Sequence, residues 1–310
     1  MGRLMTKISS SGPLVTVIAV GYNHAAFVGR ALTSIAEQSV PFVLRIVDDA
    51  SSDCTASFVR RWLQDHAEVQ GVFDEHSVNL GITETFQRAL EQVRTPYVTF
   101  VSLDDAWEPE LLERLINRLQ DEPAAAVAYA DARIIDELGT EISGSFLQAE
   151  GQDPQHPPSG RIYCELLRGN WIPAMATVIR RQMLMDIGGY DTRLTYEDWD
   201  VWLRLARRHQ IVYVGGGPLA RYRVLPNSLI RRPIDYHAGS TALLLSKHLE
   251  SAHVRATVIS LTSGLVMRGD RRALRLLVEM ARHDRHPFGV LLLLLRCCRH
   301  GVREWANGRR

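Results

Sequence analysis

The 310-residue sequence lacks several features that mark whole classes of protein. Its longest apolar run, at residues 288–295, is eight residues long, well short of the roughly 20 that a membrane-spanning helix needs. The first 13 residues do not have the charged, then apolar, then small-residue layout of a secretory signal. From these absences we expect a cytoplasmic protein with no membrane-spanning segment.

Neither charge of one sign nor cysteine is in excess. Lys and Arg total 36 against 35 Asp and Glu, a net charge of +1, so there is no general surplus of cations for the phosphates of a nucleic acid. The four cysteines lack the paired spacing of a zinc site. The sequence also lacks GxGxxG after its first predicted strand, a GxxxxGK[ST] loop, a GxSxG elbow and HExxH. We therefore expect no nucleic acid partner, and neither a dinucleotide, P-loop, hydrolase-triad nor zinc-peptidase enzyme.

The first 130 residues alternate between buried strands and amphipathic helices. Apolar and β-branched runs predict strands at 14–20, 43–47, 69–73, 97–103 and 125–129. Between them, apolar residues recur at helical spacing. Strands separated by such helices form parallel βαβ units, so we predict an α/β fold with a mostly parallel, twisted sheet and flanking helices. A further strand is predicted at 171–179, a short one ends at 223, and only helices are predicted after about residue 228.

Acidic pairs stand where two of these strands end. Asp48–Asp49 follows the second strand, Asp104–Asp105 follows the fourth, and Tyr22 follows the first. Ligands of parallel α/β sheets bind outside the carboxyl ends of the strands, so we expect these groups to line one edge of the sheet. A third pair, Glu197–Asp198, is predicted at the start of a helix.

Each pair taken alone has a structural interpretation as well as a functional one. Asp104–Asp105 either caps the next helix or binds a hard divalent cation together with substrate phosphates. Asp48–Asp49 either shapes a turn or accepts hydrogen bonds from a nucleobase or ribose. Glu197–Asp198 either complements the helix dipole or supplies a general base. Arg221 and Arg223 either pair with the phosphate oxygens of a ligand or lie exposed on an edge strand.

Seven segments carry a more specific signal together, in their order along the chain, than any of them does alone. They are Val15–His24, Ile46–Asp53, Asn79–Gly81, Phe100–Trp107, Ile187–Asp191, Tyr196–Arg204 and Leu219–Arg223. In this order they resemble the family 2 glycosyltransferases, which are inverting nucleotide-sugar enzymes with the GT-A fold. The resemblance covers about residues 14–228.

The resemblance implies a donor site built mainly on the first sheet edge. Tyr22 and Asp49 would contact the nucleobase, with Val20 beside them at the end of the first strand. Asp104 would approach the ribose or the pyrophosphate. Asp105, together with Asp104, would bind a divalent metal ion, Mg²⁺ or Mn²⁺, that neutralises the departing diphosphate.

The resemblance also implies that Asp198 is the catalytic base, with Glu197 as its neighbour and substitute. One base is enough, because it takes the proton from an acceptor hydroxyl while that oxygen attacks the anomeric carbon and inverts its configuration. Two positions depart from the family pattern. Ser102 stands where many relatives carry an aspartate, so metal binding would depend more on Asp105, and Ala50 replaces the usual glycine, a change that we expect to be mild.

The sequence predicts three regions: an N-terminal tail (1–13), a GT-A glycosyltransferase domain (14–228) and a C-terminal helical region (229–310). Residues 268–310 carry eleven arginines against four acids. A basic helix predicted at 288–306 either packs on the rest of the protein or on a second copy in a homodimer, or lies on anionic lipid at the inner face of a membrane.

The predicted function is metal-dependent, inverting transfer of a sugar from a nucleotide-diphosphate donor to a hydroxyl of a glycan or lipid-linked acceptor, in polysaccharide, glycolipid or glycoconjugate biosynthesis. Two alternatives remain. One is a non-catalytic nucleotide-sugar or glycan-binding module on the same fold, which would have no use for a base at Asp198. The other is a sugar nucleotidyltransferase, whose glycine-rich basic loop after the first strand is not matched by Gly21–Ala25.

Overall fold

The computed structural model describes residues 12–226, 228, 234–270, 272–273 and 276–278. The chain forms two compact units. The first comprises residues 12–192 and 197–225, and the second comprises residues 193–196 and the described residues from 226 onward. The domain boundaries predicted after residues 13 and 228 stay predictions.

The first unit contains all the strands among the described residues. In chain order they are β1 (Val15–Gly21), β2 (Phe42–Asp48), β3 (Gly71–Glu75), β4 (Tyr97–Ser102), β5 (Ala106–Trp107), β6 (Ala125–Tyr129), β7 (Ala132–Ile135), β8 (Glu141–Ser143), β9 (Thr177–Arg180), β10 (Gln210–Tyr213) and β11 (Ala220–Arg223). Its helices are α1 (Val28–Ala36), α2 (Thr55–Asp65), α3 (Ile82–Glu91), α4 (Leu111–Asp121), α5 (Phe146–Ala149), α6 (Tyr163–Leu166), α7 (Arg181–Asp186) and α8 (Asp198–Ala206).

The main sheet has seven strands in the order β10-β6-β9-β4-β1-β2-β3. All residues of β1 are buried, as expected for a strand that is covered by helices on both faces of a parallel sheet. β1 runs parallel to β2 and β4, β2 to β3, and β10 to β6. β9 is antiparallel to both β4 and β6. The predicted α/β class with a mostly parallel sheet is confirmed.

Helix α4 shows why the flanking helices form where the apolar spacing predicts them. Its five apolar positions are all at most 2% exposed and lie on one stripe: Leu111, Leu112, Leu115, Ile116 and Leu119. Burying a side chain of this size stabilises the fold by roughly 1.5–3 kcal/mol relative to leaving it exposed. The opposite face of the helix carries its charged residues and stays in contact with water.

A second sheet, of order β5-β11-β7-β8, was not predicted as a sheet. The short strand ending at Arg223 is confirmed as β11, which pairs antiparallel with β5 and parallel with β7. Strands β5, β7 and β8 are two to four residues long, too short to show a periodicity in the sequence.

The strand predicted at 171–179 is wrong for its first part. Residues Ala174–Ala176 form a turn of 3-10 helix, and only Thr177–Arg180 forms a strand. The physical reason is that Pro173 has no N–H to donate to a neighbouring strand. In addition, the indole N–H of Trp107 donates to the carbonyl oxygen of Met175 at 2.7 Å, so this carbonyl is not available for strand pairing.

The second unit is helical in its described part, with α9 (Ile234–Ser246) and α10 (Ala252–Met267). These agree with the prediction that only helices follow after about residue 228. Buried alanines of α9 (Ala238 and Ala242) form a small core with Leu265. No helix among the described residues has the length and apolar composition needed to span a bilayer. The basic helix predicted at 288–306 lies outside the described residues.

Ala50 lies in the turn after β2 with a φ of +59°, in the left-handed region that favours glycine. A residue with a Cβ is strained there by roughly 1–2 kcal/mol. The expectation that this replacement of glycine is mild therefore needs correction. The turn has the left-handed backbone conformation that suits glycine, and Ala50 adopts it with strain.

The Ala50→Gly substitution is expected to stabilise the protein by about 1 kcal/mol, since the relief of strain exceeds the added flexibility of the unfolded chain. Thermal unfolding should show a rise of roughly 2–4 °C. The matched control is Ala56→Gly within α2, where glycine should lower the melting temperature. Equal losses in the two variants would contradict the strain at Ala50.

Candidate functional site

The carboxyl ends of β1, β2 and β4 lie level with one another. Gly21 at the end of β1 pairs with Asp48 of β2, and Val20 pairs with Ser102 of β4. The segments that follow these three strands therefore leave the sheet at one edge. The side chain of Val20 is buried within the sheet at this edge, 3% exposed.

The turn after β1 is tied to the turn after β2. The peptide N–H of Asn23 donates to Ser51 Oγ at 2.9 Å, and Asn23 Oδ1 accepts from the peptide N–H of Ser52 at 2.8 Å. Asn23 has a φ of +57°, a conformation that asparagine tolerates better than most residues. Held in this way, the neighbouring Tyr22 is 47% exposed, so its ring has a free face at the sheet edge.

Asp49 is 2% exposed, and its carboxylate is already used by the protein. Its Oδ1 accepts from the peptide N–H of Leu80 at 2.9 Å and lies 2.8 Å from His76 Nδ1, and its Oδ2 accepts from the peptide N–H of Gly81 at 2.8 Å. These bonds fix the start of α3 against the end of β2. The structure places Asp49 at the expected edge, where direct contact with a nucleobase stays a prediction.

Asp104 and Asp105 form the turn between β4 and β5. Asp105 is 5% exposed and its Oδ1 accepts from the peptide N–H of Arg223 at 2.9 Å. Burial, and after it the charge of Asp104, raises the pKa of Asp105 well above its usual range, while the bond from Arg223 opposes this. Asp104 Oδ2 lies 3.8 Å from Nε2 of His24.

Arg223 holds this turn in place instead of pointing into open solvent. Its guanidinium donates to the carbonyl oxygens of Asp104 (2.9 Å) and Asp136 (2.7 Å), and its Cζ lies 4.7 Å from the centre of the Phe27 ring. The side chain is 2% exposed overall. Arg223 thus supports Asp104–Asp105 from behind, and contact with a phosphate stays a prediction.

Arg221 lies in a different environment. Its guanidinium pairs with Glu108 Oε1 at 3.0 Å in a cleft of about 500 Å³ that also contains Arg133 and Glu141. Side chains alternate along a strand, so Arg221 faces away from the side of β11 that carries Tyr222. The structure does not bring the Arg221 side chain to the acidic pairs.

Glu197 and Asp198 are half-buried at the start of α8. Asp198 Oδ2 accepts from Asn170 Nδ2 at 2.7 Å, and Asp198 Oδ1 accepts from the peptide N–H of Trp199 at 2.7 Å. Burial raises the pKa of Asp198, and these two hydrogen bonds oppose the rise. Burial and the neighbouring Asp198 raise the pKa of Glu197 to about 8. Burial thus disfavours the charged form of both carboxyl groups, and the two hydrogen bonds favour the charged form of Asp198.

The phenol of Tyr222 connects the two acidic pairs. Burial raises its pKa, and so do the charges of Asp105, Asp104, Asp198 and Glu197. Both pairs therefore lie within electrostatic range of one phenol, although 92 residues separate Asp105 from Glu197 in the sequence. The Tyr222 ring packs edge-on against another aromatic ring, Phe146, at 5.6 Å.

Arg204 fixes α8 to the rest of the unit. Its guanidinium bonds to Asp200, which is fully buried, and to the carbonyl oxygens of Ile187 (2.7 Å) and Gly189 (2.6 Å). Gly189 has a φ of +69° and an added Cβ would lie 2.3 Å from Gln87 Oε1, so this turn requires glycine. These bonds hold α8 against the turn that contains Ile187 and Gly189, and Asp198 lies at the start of the helix that is held in this way.

The acidic turn suits a hard cation by its chemistry. Asp104 and Asp105 provide carboxylate oxygens, the ligand type that Mg²⁺ and Mn²⁺ bind in sites shared with phosphates. The two carboxylates repel each other, and a bound cation would relieve this repulsion. The described residues contain no group of three or more His, Cys, Asp or Glu side chains placed to hold a metal ion. Two carboxylates fit a cation whose remaining ligands are diphosphate oxygens and water.

Two residues of the site were missed from the sequence. Tyr222 lies between Arg221 and Arg223, the two residues that the sequence analysis proposed as ligand contacts. Because side chains alternate along a strand, the sequence could have shown that Tyr222 faces the side of the strand opposite to Arg221. Asn170 had no signal of its own, because it lies in an irregular segment 28 residues before Asp198.

The resemblance stated from the motifs is confirmed by comparison with known proteins. The family model described as Glycosyl transferase family 2 matches residues 16–187. An uncharacterized protein of Mycobacterium tuberculosis (strain CDC 1551 / Oshkosh), MT1568, is 30% identical over 68% of this chain and 67% of its own length. TuaG of Bacillus subtilis (strain 168), provisionally named as a teichuronic acid biosynthesis glycosyltransferase, is 27% identical over 78% of this chain and 90% of its own length.

Two solved structures confirm the GT-A fold. S. aureus TarS 1-349, in complex with UDP-GlcNAc, superposes with a TM-score of 0.62 at 16% identity, covering 87% of this chain and 81% of TarS. The mannosyltransferase PcManGT from Pyrobaculum calidifontis, in complex with GDP-Man and Mn²⁺, has a TM-score of 0.56 at 18% identity, covering 96% of this chain and 84% of PcManGT.

The raised pKa of Glu197 makes stability depend on pH. The carboxyl titrates near 4.5 in the unfolded chain and at about 8 in the folded one, so its contribution to stability is present below pH 4.5 and is lost as the pH rises towards 8. Glu197→Gln removes this titration.

We expect the Glu197→Gln variant to melt a few degrees above the unsubstituted protein at pH 8 and close to it at pH 4.5. In the control Glu165→Gln, on the exposed surface of α6, the difference should not vary with pH. A pH-independent difference in the first variant would contradict the assignment.

Proposed function

The chain belongs to glycosyl transferase family 2 and is a glycosyltransferase with the GT-A fold, and on this premise we propose that it transfers a sugar from a nucleoside-diphosphate donor to an acceptor hydroxyl with inversion of configuration. The single observation that supports this most is that both acidic pairs, Asp104–Asp105 and Glu197–Asp198, act electrostatically on the Tyr222 phenol. One pair suits the leaving diphosphate, the other suits the attacking hydroxyl, and the two reacting groups must meet between them.

On the donor side, Tyr22 and Asp49 would hold the nucleobase, with Val20 beside them, and Asp104 would lie against the ribose or pyrophosphate. A bound Mg²⁺ or Mn²⁺, held by Asp105 and Asp104, would supply positive charge that stabilises the departing diphosphate. Arg223 keeps both aspartates in place through the bonds already described.

On the acceptor side, Asp198 would take the proton of the attacking hydroxyl. Its two hydrogen bonds favour the ionised form, while burial and the neighbouring Asp198 raise the pKa of Glu197 to about 8. This asymmetry favours Asp198 over Glu197 as the base. The oxygen that loses its proton attacks the anomeric carbon on the face opposite the diphosphate, so one displacement gives the inverted product.

The named relatives indicate the class of substrates. TarS and PcManGT were solved with UDP-GlcNAc and GDP-Man, and TuaG is named for the synthesis of a cell-wall polymer. We propose a UDP- or GDP-linked sugar as donor and a growing glycan or lipid-linked glycan as acceptor, on the cytoplasmic side of the membrane, in polysaccharide or glycoconjugate synthesis. The proposal includes that metal binding depends more on Asp105, because Ser102 stands where many relatives carry an aspartate.

The first test is Asp105→Asn, measured by calorimetric titration with UDP, GDP and dTDP with and without Mn²⁺. The unsubstituted protein should bind at least one of them more tightly with the metal ion, and the variant should lose roughly tenfold or more of that affinity. Asp186→Asn, an exposed carboxylate on α7, is the control and should bind as the unsubstituted protein does. Unchanged Mn²⁺-dependent affinity in Asp105→Asn would refute the metal assignment.

The second test is Asp198→Asn, measured by turnover of the donor that binds, with water as the acceptor. Loss of a general base typically costs roughly 10²- to 10⁴-fold in rate, and we expect a loss in that range. The nucleotide affinity should stay within about twofold, because Asp198 lies on the acceptor side. Turnover at the unsubstituted rate would show that another group is the base.

A further inference from the structure

Asn170 lies in a segment that the fold holds firmly beside α8. The segment follows α6, and the indole Nε1 of Trp199 in α8 donates to the carbonyl oxygen of Leu166 in α6 at 2.8 Å. On the other side of Asn170, the buried ring of Trp171 packs edge-on against Tyr129 at 5.8 Å. Asn170 is therefore fixed between two anchored residues, and its side chain cannot move far from Asp198.

The Asn170 side chain is committed to Asp198. Its Nδ2 donates to Asp198 Oδ2 at 2.7 Å, a short bond of the kind formed with a charged acceptor. Its Oδ1 is buried and has no hydrogen-bond partner among the described residues. In this orientation the amide donates to Asp198, and the reverse orientation would suit only a protonated Asp198. A buried carbonyl without a partner costs stability, which indicates that the amide is not there to stabilise the fold.

The two oxygens of Asp198 have different partners. Oδ1 accepts from the peptide N–H of Trp199, and Oδ2 accepts from Asn170. Each carboxylate oxygen has a second lone pair, so both bonds leave one acceptor position free on each oxygen. Together they fix the plane of the carboxylate, and each oxygen can still accept a proton.

We propose that Asn170 is a positioning residue for Asp198: its amide sets the orientation of this carboxylate and makes Asp198, and not Glu197, the ionised member of the pair. The inference rests on the proposed function, in which Asp198 is the base. It adds a residue that neither touches the donor nor transfers a proton, yet decides which carboxyl group can accept one.

Other ionisable groups surround the pair, and they do not provide the same asymmetry. Tyr190 and Tyr222 feel the charges of both Glu197 and Asp198. Arg204 is bonded to Asp200 and acts on Tyr190. On the elements packed against α8, the ionisable residues are Tyr163, Cys164 and Glu165 in α6, Arg181 and Asp186 in α7, and Tyr213 in β10. The hydrogen bond from Asn170 acts on Asp198 alone.

The test is the titration of the two carboxyl groups by ¹³C NMR of the full chain with labelled Asp and Glu, which needs no substrate. Asp198→Asn and Glu197→Gln assign the two signals. In Asn170→Leu, which keeps the side-chain volume and removes the donor, we expect the midpoint of Asp198 to rise by roughly one pH unit or more. In Asn170→Asp the midpoint should rise as well, because a third carboxyl group replaces the donor.

The matched control is Gln182→Leu. Gln182 Nε2 also donates to a carboxylate, Asp186, at 2.7 Å, but on the exposed surface of α7. The midpoint of Asp198 should not move in this variant. A midpoint in Asn170→Leu within about 0.3 pH unit of the unsubstituted protein would overturn the inference, and if that variant does not fold, the same result in Asn170→Asp would do so.

A second measurement separates this inference from the proposed function. In Asn170→Leu the acid limb of the pH profile for donor turnover should shift upward with the midpoint of Asp198, while UDP or GDP affinity stays within about twofold. A purely structural role predicts lower turnover at every pH without this shift. If the unsubstituted protein binds no nucleotide, the proposed function fails, and the carboxyl titration still decides the role of Asn170.

Discussion

Repulsion between carboxyl groups is the constraint on which this site depends. Asp104–Asp105 and Glu197–Asp198 act on the same phenol, that of Tyr222, in a partly buried space. Negative charges in such a space oppose folding unless they are protonated, hydrogen-bonded or neutralised by a cation. The structure uses the first two means. The pKa of Glu197 is raised to about 8, which favours its protonated form. Asp105 accepts a hydrogen bond from the peptide N–H of Arg223, and Asp198 accepts one from the side chain of Asn170. The third would come with the metal ion and the donor. Repulsion that a substrate relieves is a cost in stability that favours binding, which is a common compromise at active sites.

Strand β11 brings the two acidic pairs together. It pairs with β5, the strand that follows the Asp104–Asp105 turn, so it lies beside that turn in space. The last residue of β11, Arg223, holds the turn through its peptide N–H and its guanidinium. Its alternation then turns Tyr222 towards both pairs and Arg221 into a separate cleft. Three neighbouring residues of this four-residue strand thus have different roles: Arg223 supports the acidic turn, Tyr222 lies in the site, and Arg221 lies in a surface cleft.

The edge of the main sheet followed from local patterns. The buried strands before Tyr22, Asp49 and Asp104 were visible as apolar runs, and parallel pairing makes their ends level. The commitment of the Asp49 carboxylate to the peptide N–H groups of Leu80 and Gly81 was not visible, because it depends on where the start of α3 packs. The strain at Ala50 was not visible either, since a residue type does not reveal the φ that its neighbours impose.

The sequence by itself determined the class of the fold and the residue types of the site, because hydrophobic periodicity and the order of the acidic motifs are properties of short segments. It also placed Glu197–Asp198 at the start of a helix, as α8 shows. Only the tertiary structure decided which carboxyl groups come close to one another, that two hydrogen bonds favour the ionised form of Asp198, and that Asn170 and Tyr222 belong with them. The physical reason is that these properties depend on burial and on hydrogen bonds between residues far apart in the chain, which exist only once the elements have packed.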